Sequence, residues 1–107
     1  DTMRAAGMPE GDYTLGGQAV KVSGKYATLA DGTLAGSVTD LMSCMKTAVS
    51  FGIPLADAVR AAAVNPAQVL GIFDRCGSLE AGKNANAVVL DADLNVKAVF
   101  FRGCQVQ

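Results

Sequence analysis

Apolar positions along the chain change period twice. Residues 1–36 are turn-rich and strand-like, with Gly11, Gly16-Gly17, Gly24 and Gly32 spaced as turns. Val20 and Val22 bracket Lys21, the alternation of a half-buried strand. Strands are therefore expected at Tyr13–Leu15, Gln18–Val22 and Lys25–Leu29. Ser23-Gly24 and Asp31-Gly32 are turn dipeptides that tolerate positive φ. The segment reads as a small meander and not as a compact core.

From 37 to 72 the period becomes helical. Val38, Leu41, Met42, Met45, Ala48 and Val49 share one face of a helix over 38–50. Ser37, with Asp40 three places on, resembles a capping box in which Asp replaces Glu. Gly52 ends this helix, and Pro54 suits the first turn of a second, whose inner face is Leu55, Ala58, Val59 and Ala62. Asn65-Pro66 is expected to break it, because the residue before a proline disfavours the α region. A short third helix, Ala67–Leu70, would then close at Gly71. Strand patterns return at Ala87–Leu90, Val96–Phe101 and Gln105–Gln107. The order strand, helix, strand does not make a doubly wound sheet: too few parallel strands are available, and no glycine-rich phosphate loop follows any of them. The meander and the last strands leave edges that something must cover.

Composition narrows the class. The 107 residues fit one domain at most, half of them are apolar and 18% are charged, which argues against disorder. The net charge of −1 gives no basic footprint for nucleic acid. The longest mainly apolar stretch, Ala58–Val64, is interrupted by Arg60 and is far too short to span a bilayer, and Asp1–Gly11 holds no signal-peptide-like run. No nucleic-acid partner and no membrane are the resulting expectations. Three cysteines, Cys44, Cys76 and Cys104, are widely spaced and form no CxxC, so buried free thiols in a reducing cytoplasm are expected.

The chain has no histidine, so no Ser-His, Cys-His or His-rich metal constellation can form from it alone. Its carboxylates mostly have structural explanations: Asp31 in a turn, Asp40 near a cap, Asp57 in a first helical turn where the macrodipole favours acid, and Asp91 and Asp93 around a loop.

Asp1 gains interest from its neighbours in sequence. Residues 1–8, Asp-Thr-Met-Arg-Ala-Ala-Gly-Met, resemble the Thr-Asp-Ala-Met-x-Ala-Ala-Gly segment of the N-acetylglucosamine-6-phosphate deacetylases, in the amidohydrolase superfamily. Residues 9–18 resemble that family's pdGxYxLGGq hairpin, 31–37 its dGtLAGS loop, 62–71 its aslNPArxLGl segment and 77–91 its GsiapGkdADlvvld segment. The last two occur across many amidohydrolases, whereas 1–8, 13–17 and 31–37 point to the deacetylases. The resemblance covers essentially the whole chain, which reads as the final quarter of such an enzyme.

The resemblance implies an α/β fragment: the last β/α unit of an amidohydrolase (β/α)8 barrel with a β-hairpin insertion (1–76), then C-terminal strands of the small β-sandwich domain (77–107). Barrel enzymes carry their sites at the C-terminal ends of the strands. Asp1 matches the residue that takes a proton from a metal-activated water and delivers one to the leaving amine. Leu34, Ala35 and Gly36 match the substrate loop, where a glycine allows close backbone approach to a sugar, and Ser37 would start the helix beside it. The implied cofactor is a divalent metal, zinc or iron, held in the parent enzyme by a glutamate and histidines from earlier strands; no metal binding is expected of this chain alone. The implied partners are an amino-sugar phosphate substrate, the upstream barrel, and another copy of the chain. The isolated chain is expected to be inactive. Two departures bear on stability: Asn86 stands where the pattern has Asp, predicting a lost hydrogen bond or salt bridge, and Pro54 replaces a serine cap. The competing readings are another amidohydrolase, dihydroorotase-like or acting on N-acyl amino acids, and a non-catalytic oligomerising module.

Overall fold

The computed structural model describes residues 2–107 of the chain. They form two compact units, Asp1–Cys44 and Met45–Gln107.

The first unit is an antiparallel meander of four strands in sequential order: β1 (Gly11–Leu15), β2 (Gln18–Ser23), β3 (Tyr26–Thr28) and β4 (Leu34–Gly36). The β1–β2 hairpin turns on Gly16 and Gly17, both at positive φ (58° and 83°). Two successive left-handed residues give the turn whose twist matches the flanking strands, and only glycine adopts them without strain. Glu10 supports the next turn: its Oε1 accepts the Gly24 N–H at 2.7 Å. Asp31 shapes the third, accepting the Thr33 N–H at 2.9 Å in an Asx turn, which lowers its pKa.

The alternation in β2 reads out as expected, with Val20 and Val22 buried and Lys21 exposed. The meander nevertheless builds the core that its glycine content argued against. Met3, Ala5, Val20, Val22 and Ala27 are buried together, with Tyr13, Leu29, Ala35 and Val38 packed around them. What local periodicity could not supply was the partner: the segment after Asp1 lays Met3 and Ala5 onto the sheet.

The first helix, α1 (Leu41–Ser50), begins three residues later than expected. Its cap is Asp40, whose Oδ1 accepts the Ser43 N–H at 2.7 Å while the Ser43 hydroxyl donates to Oδ2 at 2.9 Å. The Ser37 Oγ instead accepts the Thr39 N–H at 3.3 Å in a local turn. A carboxylate three residues before the Ser43 amide reaches it directly, and outcompetes the hydroxyl further upstream. Met42, Met45, Ala48 and Val49 are half-buried, but Leu41 at the first position is exposed.

In the second unit, Pro54 caps the next helix with its carbonyl, which accepts the Asp57 and Ala58 N–H groups at 3.0 Å each. The expected break at Asn65-Pro66 does not occur. α2 (Leu55–Val59) runs through a π-helical turn, Arg60–Val64, into α3 (Asn65–Val69). Asn65 is helical (φ −60°, ψ −47°) and donates its N–H to the Arg60 carbonyl, five residues back. The wider π turn gives the Pro66 ring room that a regular helix denies it, and the missing proline N–H no longer interrupts the ladder. Of the expected inner face, Ala58 is buried and Ala62 half-buried, while Leu55 and Val59 are exposed.

A three-stranded antiparallel sheet completes the unit: β5 (Ala87–Leu90), β6 (Val96–Phe101) and β7 (Cys104–Gln105). The Val106 N–H and the Gln107 carbonyl extend the last pairing to Val99. Asn86 does not lose its hydrogen bond. Its Oδ1 accepts the Arg102 N–H at 2.9 Å, holding Arg102 at φ 50° in the tight turn before β7. Between helix and sheet, Lys83 is drawn in over the Phe73 ring, 3.4 Å from its centroid, and bonds the Ser78 hydroxyl at 2.6 Å. The cysteines are free, but Cys44 and Cys104 are exposed and Cys76 only half-buried. Cys44 lies on the outer side of α1 and Cys104 on an edge strand, so neither reaches a packed interior. Among the described residues no helix is long and apolar enough to cross a membrane.

Candidate functional site

Asp1, the expected acid/base residue, lies outside the described residues. The structure does place the segment next to it. Thr2 forms an isolated parallel bridge with Ser37, and the Met3 N–H donates to the Ser37 carbonyl at 2.9 Å. Met3 and Ala5 then face the core, and the Ala6 and Met8 N–H groups close local turns on the Met3 and Ala5 carbonyls. The chain segments 2–7 and 34–40, separated by strands β1 to β3, are thereby brought side by side.

Leu34, Ala35 and Gly36 form a strand, β4, and not a free loop. Its pairing with β3 slips by one residue: Thr28 faces Leu34 and Ala27 faces Gly36, leaving Ala35 as the extra residue of a β-bulge. A bulge redirects side chains at the end of a ladder. Here Leu34 is exposed, while Ala35 packs against the core. Gly36 is not at positive φ, and a Cβ built on it would sit 3.6 Å from the Met3 Cβ, the Met3 Sδ and the Leu15 Cδ2. Met3 therefore lies beside Gly36, where a methyl group would meet it at ordinary van der Waals distance.

Beside this junction is an open concavity of about 370 Å³ lined by Thr2, Ala6, Gly7, Val38, Thr39 and Asp40. Sequence reading passed over Thr2, Thr39 and the wall they make. Thr2 and Thr39 lie far apart in the chain, and the Thr2–Ser37 bridge with the Met3–Ser37 hydrogen bond brings them together. Asp40 lines the concavity while spending both oxygens on Ser43; the Ser43 backbone N–H is the main cause of its lowered pKa.

The remaining carboxylates with shifted pKa values are held by local structure. Asp91 accepts the Asn95 and Asp93 N–H groups at 2.8 and 3.0 Å and is lowered chiefly by Asn95. Glu80 is lowered first by the Ser78 hydroxyl and then by Lys83. Among the described residues, no three of Cys, Asp and Glu gather as a metal-binding group, and the chain has no histidine. The side chains described do not fit a divalent metal.

The amidohydrolase family model matches residues 18–106. The chain belongs to the amidohydrolase family. It is 39% identical over 104 residues to a putative N-acetylgalactosamine-6-phosphate deacetylase of Escherichia coli K12, covering 96% of this chain and 62% of that protein. It is 40% identical over 104 residues to the N-acetylglucosamine-6-phosphate deacetylase of Bacillus subtilis, covering 96% of this chain and 26% of that protein. The crystal structure of N-acetylglucosamine-6-phosphate deacetylase from Thermotoga maritima matches it with a TM-score of 0.88 at 35% identity, over all of this chain and 30% of that one. This amidohydrolase chain thus corresponds to between a quarter and two thirds of the proteins it matches, and the mixed α/β content with antiparallel sheets agrees with theirs.

Proposed function

We propose that the chain forms part of a hydrolase that removes the acetyl group from N-acetylglucosamine 6-phosphate, releasing acetate and the hexosamine phosphate. The observation that carries this reading is the match of the whole chain to the Thermotoga maritima deacetylase at a TM-score of 0.88. On this reading 1–76 is the last β/α unit of the barrel with its hairpin insertion, and 77–107 contributes strands of the small β-sandwich. Asp1 accepts the proton of the attacking water and returns it to the leaving amine, so one carboxylate serves both proton transfers. Backbone groups of Leu34, Ala35 and Gly36 contact the sugar at the redirected end of β4. The divalent metal, zinc or iron, is held by residues that this chain does not contain, and the reaction is cytoplasmic.

A second reading concerns one stereocentre. The Escherichia coli relative is named for the galactosamine epimer, at an identity one percentage point below that of the Bacillus subtilis enzyme. Both substrates belong in the test. A chimera carrying this chain in place of the matched 104 residues of the Bacillus subtilis enzyme is assayed for acetate release from each epimer. Turnover of the glucosamine form, lost in D1N, is the expected result. Preference for the galactosamine form selects the second reading, and a folded but inactive chimera rejects both.

A further inference from the structure

We infer that Met3 is a positioning residue: it fixes the spacing between the segment that carries Asp1 and the strand Leu34–Gly36, using the meander as its platform. The inference rests on the roles proposed for Asp1 and β4 and adds to them the element that holds the two in register.

Three independent contacts converge on Met3. Its backbone N–H is bonded to the Ser37 carbonyl, one residue beyond β4. Its side chain is 6% exposed and buried with Ala5, Val20, Val22 and Ala27, so strands β2 and β3 hold it from beneath. Its Cβ and Sδ lie beside Gly36, each 3.6 Å from where a Cβ on that residue would stand, an ordinary contact distance. The same residue is therefore tied by a hydrogen bond and by packing to the end of β4, and by its buried side chain to the sheet that β4 extends. Two residues of chain span at most about 7 Å, so Met3 bounds the reach of the residue proposed as acid and base.

The physical consequence is orientational. Acid/base catalysis on a bound amide needs the carboxylate and the sugar-binding backbone at a set separation, and a misplacement of about 1 Å can cost about a hundredfold in rate. A methionine suits the task because its unbranched chain follows an irregular gap between glycine and sheet. The bulge at Ala35 and the backbone at Gly36 form the side of β4 that lies next to it.

The first test uses the full 107-residue chain. Amide exchange in M3A is expected to lose at least tenfold protection at residue 3 and at Gly36, and M3L to restore both to within threefold. Unchanged protection in M3A overturns the inference. The second test places the same variants in the Bacillus subtilis chimera. M3A is expected to lower kcat per folded molecule at least tenfold while KM changes less than threefold, with M3L recovering most of the rate. If M3A does not fold, M3V, which stays apolar but withdraws from Gly36, is expected to lower kcat at least threefold. An active parent chimera whose folded M3A or M3V variant keeps full kcat overturns the positioning role alone. A folded but inactive parent overturns the deacetylase reading and this inference with it.

Discussion

The two units bury their apolar residues to very different extents. Around the meander, five residues from three separate segments are buried in one cluster. In the second unit only Ala58 and Ala67 are buried, while Val69, Leu70, Val88, Val89, Phe101 and Val106 are exposed. The difference lies in whether a second apolar surface is available within the unit. The meander receives Met3 and Ala5 from the segment after Asp1. The sheet β5–β7 receives no comparable lid within the unit, so Val88, Val89 and Phe101 keep much of their apolar area exposed. At about 25 cal/mol per Å² of apolar surface, that is stabilisation left unrealised.

Four substitutions sharpen or break this contrast. G77A carries the largest expected effect. Gly77 sits at φ 97°, and a Cβ there would lie 2.6 Å from the Ala67 Cβ and 3.2 Å from both the Ala63 carbonyl and the Phe73 ring. Left-handed strain of roughly 1–2 kcal/mol adds to overpacking of roughly 1–3 kcal/mol, so a loss of about 3 kcal/mol is expected in urea unfolding. A loss below about 1 kcal/mol would show that this helix–turn contact yields and is not closely packed.

V20A comes next. Val20 is 2% exposed at the centre of the meander cluster. Removing two buried methyl groups and leaving a cavity is expected to cost about 2 kcal/mol. Amide exchange should rise mainly in β1, β2 and β3; an effect within about 0.5 kcal/mol, the range of an ordinary surface substitution, would mean that the cluster is not the core.

D40A tests the start of α1. Loss of the cap is expected to cost about 1 kcal/mol, and D40N much less, since asparagine caps as well as aspartate. The pH dependence has a definite sign. The carboxyl pKa is lowered in the folded chain from its ordinary value of 3.8, mainly by the Ser43 N–H. The charged cap therefore stabilises α1 fully above 3.8 and loses its advantage as pH falls through the lowered folded value. Circular dichroism should show that loss of helix in the wild type below pH 3.8, and a smaller change over the same range in D40N.

The smallest effect belongs to V89T. Val89 is 46% exposed on β5, and threonine keeps the β-branched shape that suits a strand. A change within about 0.5 kcal/mol is expected for this chain. A cost near that of V20A would show that the sheet face is covered after all.

Most elements of the fold were legible because they depend on neighbours in sequence. The strands around Val20, the glycine turns at Gly16-Gly17 and Gly32, α1 and the final strands follow from period and turn chemistry. The misses share one cause, which is competition that local rules leave undecided. Ser37 and Asp40 both offer caps, and the carboxylate nearer the Ser43 amide won. Asn65-Pro66 reads as a break, yet one extra residue in the preceding turn removes the clash. The candidate site divides in the same way. Leu34–Gly36 was visible as a segment, but the bulge at Ala35 and the contact of Gly36 with Met3 were not.

The sequence by itself determined the family pattern, the order of elements, and the absence of any histidine with which this chain could ligate a metal. Those are properties of residue identity and of spacing within a few turns. Only the tertiary structure decided that Thr2 would pair with Ser37, that Met3 would fill the space beside Gly36, and that the meander would serve as their floor. Contacts across more than thirty residues carry no periodic signature; they are selected by which apolar surfaces can be buried together.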